Sequence, residues 1–346
     1  MAAGTKSKNI VYVVGAGLSA GLGFPTIRDL LPRMWERLEA KNLADDLAKV
    51  IRFHHPAFNA SLADTFPNIE TLLSEMQANE QLFESSRPAT GKFKKDKLFK
   101  IRESLMQELA NWFHELKKNA LKTPPAWLGQ LTSMMKDENA QVISFNWDLV
   151  LDQKLFGKNI NRSSYGFDDN RDQVRLIKPH GSLNWYDAKK AKKLKTDKIF
   201  DLMDSDDQRI IAFRPYRAPI SVRREYMPLI IPPVYAKQFN GSAFRHLWQE
   251  AVAVLSTASE VRFLGYSLAP ADFHARFILR CGFHNQVEGV LSEDGRSRKN
   301  PTGQSQLTIV DPNPDGVVPT RIREAVGWHG TWHKQTIEQW LETMPS

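Results

Sequence analysis

Residues 11–31 read VYVVGAGLSAGLGFPTIRDLL. An apolar run, Val11 to Val14, stops at Gly15-Ala16-Gly17, and Ser19 follows among further small residues. A buried strand hands its chain to a helix in this way beside a nucleotide phosphate, where side chains would block the approach of backbone to pyrophosphate. Gly15-x-Gly17-x-x-Ala20 fits the dinucleotide spacing in its G-x-G-x-x-A form. A dehydrogenase would then need a second strand within about thirty residues, ending in an acid that grips the ribose hydroxyls. Glu36 and Glu39 stand at about that distance, but LLPRMWERLEAK around them has helical periodicity, so a hydride-transfer reading loses most of its support.

Outward from this turn, short apolar runs bounded by polar or turn residues recur at 142–145, 174–177, 229–231, 261–264 and 307–310. Helical patterns lie at 243–255, 271–280 and 337–343. Strands alternating with helices predict a mostly parallel sheet covered on both faces. From residue 27 to about 135 no strand pattern occurs, while helix-period apolar spacing recurs at 30–38, 69–76 and 105–116. Thr26, with Asp29 three residues on, reads as a capping box opening the first of these. The expected fold is α/β: a Rossmann-like parallel sheet with helices on both faces, built from 1–26 and 140–346. A helical insertion, 27–139, forms the small domain, and a second insertion, basic and polar, spans 187–224 within the Rossmann-like part.

With 346 residues, 42% hydrophobic and 25% charged, the chain has room for a sizeable core. Its net charge of +8 invites a nucleic-acid reading through counterion release. Two runs carry much of that charge, KFKKDKLFKIR at 92–102 and KKAKKLKTDK at 189–198. Charge runs are usually solvated surface, and no aromatic-interleaved motif supports nucleic acid as a partner. A single cysteine, Cys281, excludes an intrachain disulfide and a four-cysteine zinc site made by this chain alone. MAAGTKSKNIV has no apolar signal region, and no stretch approaches the roughly 18 apolar residues of a membrane span, so a cytoplasmic protein without membrane attachment is expected.

Four further stretches join the opening one: SFNWDL at 144–149, KPHGSLNW at 178–185, FLGYSLAPAD at 263–272 and TIVDPNP at 308–314. Together with GAGLSAGLGFPTIR at 15–28 they resemble the sirtuin family, and more closely its prokaryotic sirtuin-like NADase branch. The family's first motif lies on Gly15, Ala16, Gly17, Ser19, Gly23, Pro25 and Arg28. Its asparagine-x-aspartate falls on Asn146 and Asp148, its histidine-glycine on His180 and Gly181, and its glycine-x-serine-leucine on Gly265, Ser267 and Leu268. The resemblance implies NAD+ as substrate, bound by Gly15, Ala16, Gly17, Ser19, Pro25, Arg28, Gly265 and Ser267. Asn146 and His180 are then the leading catalytic candidates, with Asp148 second. Asp311 and Asn313 follow the TIV strand and are placed to meet the adenosine ribose at the carboxyl edge of the sheet. Where sirtuin deacylases have aspartate and phenylalanine before the arginine, this chain has Thr26 and Ile27, and its helical insertion holds no cysteine. No zinc is expected, and the docking of an acyl-lysine peptide loses support.

These residue types suit the chemistry. Nicotinamide bound to ribose as a cation is a good leaving group, so an enzyme that cleaves the bond mainly holds the ribose and stabilises an oxocarbenium charge. A neutral amide such as Asn146 orients a water or hydroxyl, and a histidine accepts its proton. Plainer roles compete: Asn146 and Ser19 as helix caps, His180 as a satisfied core residue, Arg28 as an exposed helix-start residue, Trp185 and Tyr186 as packing. Tyr235 and Lys237 receive no role. The expectation is an NAD+ glycohydrolase, a regulated NAD-depleting effector in antiviral defence. It would act as a homo-oligomer and/or beside a sensor partner: an ATPase, nuclease-like or nucleotide-processing subunit. The alternatives are an NAD-dependent deacylase or ADP-ribosyltransferase, and a non-catalytic NAD or ADP-ribose sensor.

Overall fold

The computed structural model describes residues 9–82, 95–168, 170–188, 199–204, 209–217, 219, 227–230, 242–270, 272–291, 298–299 and 301–344. The 189–198 run, Tyr235 and Lys237 lie outside them, as does the start of the 92–102 run. In chain order the first elements are β1 (Ile10–Val14), α1 (Ala16–Ala20), α2 (Leu30–Ala40), α3 (Ala44–His54), α4 (Ile69–Leu82), α5 (Lys95–Ala120) and α6 (Ala126–Asp137). Next come β2 (Gln141–Ser144), α7 (Val150–Phe156), β3 (Arg175–Ile177), β4 (Gly181–Asp187), β5 (Ile199–Asp204), β6 (Arg209–Phe213), β7 (Met227–Ile230) and α8 (Ser242–Ser256). The last are β8 (Glu260–Leu264), α9 (Phe273–Glu288), β9 (Val290–Leu291), β10 (Arg298–Lys299), β11 (Gln306–Val310), α10 (Val317–Val326), β12 (Thr331–His333) and α11 (Ile337–Glu342).

Six strands form one parallel sheet in the order β3-β2-β1-β8-β11-β12. Numbered among themselves, they follow the doubly wound order 3-2-1-4-5-6 of a Rossmann-like fold. Every residue of β1 is buried, as a strand covered on both faces requires. The covering helices fall into two packed groups, α6 with α7 and α11, and α8 with α9 and α10. Between α1 and α6 the described residues make four helices, α2–α5, whose apolar stripes close on one another. Leu31, Met34, Trp35 and Leu38 of α2 and Leu105, Leu109 and Phe113 of α5 are buried at helical spacing. Their core is continuous with that of the sheet.

Three local expectations need correction. Of the 229–231 run, the described residues 229–230 belong to no parallel ladder: β7 pairs antiparallel with β4 in a separate sheet of order β5-β6-β4-β7, because a short apolar run carries no information on strand direction. The 187–224 insertion holds two of that sheet's strands, β5 and β6. Thr26 is no N-cap either. Asp29 takes that position without a side-chain cap, and Thr26 Oγ1 donates to its carboxylate at 2.7 Å to close the preceding turn. No helix among the described residues is long and apolar enough to cross a membrane.

Candidate functional site

The winding of the large sheet reverses between β1 and β8, and such a switch point opens a ligand crevice outside the carboxyl ends of the strands. Gly15, Gly17 and Gly265 meet there. Gly17 N donates to Gly265 O at 2.8 Å, and Gly15 N to Leu264 O at 3.3 Å. A Cβ on Gly17 would stand 2.7 Å from Gly265 Cα, and one on Gly265, at φ +58°, would stand 2.5 Å from Leu18 N. The protein's own backbone therefore demands these glycines, before any pyrophosphate does. Leu268 is buried with φ +45°, a conformation rare for leucine, so the β8–α9 loop is held in a strained shape.

Beside this lock runs a line of hydrogen bonds. Asn146, just past β2, donates through Nδ2 to Gly15 O at 2.9 Å and to Ser19 Oγ at 3.1 Å. Ser19 Oγ in turn donates to Asp148 Oδ2 at 2.6 Å, and Asp148 Oδ1 accepts from Val150 N–H at 2.9 Å. Ser19 sits inside α1 and caps nothing; Gly15 is the N-cap. With both amide hydrogens of Asn146 engaged, its Oδ1 is the atom left to accept from a ligand. Burial pushes the Asp148 carboxyl above the usual carboxylate range, against the opposing pull of Lys178 and the Ser19 hydrogen bond. Lys178, fully buried, donates to Asp148 O at 2.7 Å and Ser182 Oγ at 2.8 Å, and pairs with Asp152 at 3.2 Å. Tyr165 donates to the same Asp152. This paired floor fixes the loop that carries Asp148.

His180 follows β3. Its Nε2 lies 3.2 Å from Asp272 Oδ2, with both side chains buried. Asp272 is the N-cap of α9 and accepts from Ala275 N–H through Oδ1 at 3.1 Å, so one carboxylate orients both helix and imidazole. The His180 ring meets Phe145 edge-on at 4.9 Å, and Phe145 stacks on Tyr266 at 4.6 Å. Gly181, at φ +77°, lets β4 approach β7, since a Cβ there would fall 2.0 Å from Leu229 O.

Ala16, Ser19, Pro25, Asn146 and Asp148 share the wall of one cleft, lined from the helical insertion by Leu30, Glu70 and Phe113. Its free space is about 50 Å³. Arg28 and Ser267 are exposed and outside that wall. Asp311 directly follows β11, with Oδ1 accepting from Asn313 N–H at 3.2 Å and Oδ2 buried without a hydrogen-bond partner, and burial pushes its carboxyl up. Exposed Asn313 instead donates to Asp315 at 2.9 Å. Trp185 and Tyr186 pack in the core. Among the described residues no group of three or more His, Cys, Asp or Glu is placed to hold a metal ion. Asp272, Glu70, Lys178 and Asp152 were not foreseen as site residues. Only Asp272 carries a local signal, an aspartate just ahead of a helical pattern.

No family model matches the chain, and no curated protein matches it. Solved structures align along nearly its whole length. A Sir2 homologue in complex with NAD shares 12% identity over 97% of this chain and 88% of its own, with a TM-score of 0.44. A sirtuin structure concerned with substrate affinity shares 13% identity over 97% and 93%, with a TM-score of 0.38. A Sir2 homologue bound to a propionylated peptide shares 14% over 97% and 92%, with a TM-score of 0.35. Identities and scores at this level carry nothing on ligand or reaction.

Proposed function

We propose that the chain is an NAD+ glycohydrolase, releasing nicotinamide and ADP-ribose. The observation that carries the reading is the pairing, at one switch point, of an amide whose acceptor atom is left for a ligand with a buried His180–Asp272 dyad. In this reading Asn146 Oδ1 orients the attacking water or a ribose hydroxyl. The bond between C1′ and the nicotinamide nitrogen breaks with its electron pair passing to the ring, which leaves neutral. Water oxygen bonds to C1′, and its proton passes to His180, whose imidazolium Asp272 stabilises. Asp148 acts through Ser19 as a positioning residue. The glycine-locked turn and Asp311 at the end of β11 would hold the phosphates and the adenosine ribose.

Purified protein incubated with NAD+ should release free nicotinamide. Asn146→Ala and His180→Ala should each slow it at least about a hundredfold, the typical effect of losing acid–base assistance. Unchanged turnover in both would remove the site assignment. Formation of O-acyl-ADP-ribose from an acyl-lysine peptide would favour a deacylase instead, and calorimetric binding of intact NAD+ without cleavage would favour a sensor. The role of a regulated NAD-depleting effector in antiviral defence is carried over from the sequence resemblance.

A further inference from the structure

Lys178 directly follows β3, and its side chain, 1% exposed, stays out of the cleft wall. An ammonium has three hydrogens. All three are taken: by Asp148 O at 2.7 Å, Ser182 Oγ at 2.8 Å and Asp152 Oδ2 at 3.2 Å. None remains for a ligand. The acceptors belong to three separate segments, the β2–α7 loop, β4 and α7, so one point holds all three. Lys178 and Ser182 are also the two arms of the turn that carries His180, which Gly181 N closes on Lys178 O at 2.9 Å. Leu183 N donates to Trp147 O at 3.1 Å, a second tie between this turn and the stretch from Asn146 to Asp148. The amide and the imidazole thus sit on two short segments clamped to one another. Stability alone does not account for a charge in the clamp, because a buried ion pair is commonly matched or bettered by apolar side chains of the same volume. Methionine, of nearly the same length, would fill the space but could not hold three acceptors. What the ammonium contributes is direction.

We propose that Lys178 is a positioning residue for the reaction: through its bonds to Asp148 O and Ser182 Oγ it sets the register between Asn146 and His180, the two groups that must meet the same water or hydroxyl. The inference rests on the NAD+ reading above and deepens it. A displacement of about 1 Å at such groups costs about a hundredfold in rate. Asp152 keeps the ammonium charged and in place. Tyr165, which donates to Asp152 and accepts from Asn184 Nδ2 at 3.1 Å, fixes that carboxylate in turn. The floor beneath the cleft then belongs to the catalytic apparatus, although its lysine never reaches the substrate.

The test measures NAD+ turnover and thermal melts for wild type, Lys178→Met, the pair variant Lys178→Met/Asp152→Asn, and Lys178→Met placed in His180→Ala. Lys178→Met should lower kcat about 10–100-fold with KM changed less than about threefold, since the glycine-locked turn is untouched. It should also melt lower, because Asp152 is left buried without its cation. The pair variant, with neither charge present, should recover most of that lost stability while kcat stays low. In His180→Ala, Lys178→Met should slow the residual turnover by less than about threefold, because a register between two groups has no meaning once one is gone. A folded Lys178→Met with wild-type turnover, a pair variant that regains rate together with stability, or the full loss repeated in His180→Ala each overturns the proposal. Failure of both Lys178→Met and the pair variant to fold marks Lys178 as structural and overturns it too. The wild-type arm separates the two levels: wild type that neither cleaves nor calorimetrically binds NAD+ removes the underlying reading, whereas active wild type with an indifferent Lys178→Met removes the Lys178 assignment alone.

Discussion

Asn146, Ser19 and Asp148 form a directed line in which each donor fixes the next, ending on a carboxylate whose ionisation burial opposes. Because the folded state raises the Asp148 pKa, it binds that proton more tightly than the unfolded chain does. The group's contribution to stability is therefore full below the ordinary value near 3.8 and is lost as pH rises through the folded value. Asp148→Asn, which cannot titrate, should gain melting temperature over wild type as pH rises from about 4 toward neutrality, while its NAD+ turnover falls because an amide reverses the hydrogen bond to Ser19. A stability difference that stays flat with pH would remove the claim. Asp272→Asn separates the two jobs of its carboxylate. Asparagine caps a helix as well as aspartate does, so stability should hold within about 0.5 kcal/mol while turnover drops at least about tenfold. Asn146, Asp148 and His180 were legible in the sequence because each sits in a short motif directly after a strand. Asp272 was not, since its approach to His180 brings together two loops far apart in the chain, which local periodicity cannot show.

At the scale of elements, the β1–α1 turn and the β8–α9 loop meet backbone against backbone, with no space for a Cβ on either side. Gly17→Ala places a methyl 2.7 Å from backbone, which cannot yield as a flexible side chain would, and should cost about 1–3 kcal/mol in denaturant unfolding. Gly21→Ala, four residues on, meets only ordinary contacts at 3.5 Å and should stay within about 0.5 kcal/mol. Equal effects would show that the lock is not what the first motif preserves. Phe113 of α5 packs edge-on against Phe24, 5.4 Å between ring centres, in the wall of the cleft. Phe113→Ala should lower stability by about 3 kcal/mol yet raise the NAD+ association rate in stopped-flow binding, as a door that no longer latches. The strands β1, β2, β8 and β11 were readable nearly to the residue, because a sheet covered on both faces demands unbroken apolar runs. β12 was not, being a three-residue edge strand with no buried residue; β5 was hidden by its polar positions, and β6, an apolar run, by the polar composition of the insertion around it.

For the molecule as a whole, the reach of the helical insertion into the cleft wall through Leu30 and Phe113 predicts that an enzyme of the proposed kind is slow in isolation. A partner or self-association that holds the insertion open should raise NAD+ turnover at least about tenfold, equivalent to roughly 1.4 kcal/mol off the barrier. Maximal turnover by the isolated chain, unchanged by concentration, would contradict this. The lock between the first strand and the fourth of the large sheet also sets a timetable. Asn146 lies 131 residues after Gly15, and the Gly265 turn trails Gly17 by nearly twice that distance. At about 5–20 residues per second on a ribosome, roughly 10–50 s pass between the making of the phosphate turn and the arrival of the loop that closes it. Until then His180 has no Asp272 beside it and the glycines have nothing to grip. Messages cut short or ribosomes stalled anywhere in that interval would release fragments in which this site is incomplete.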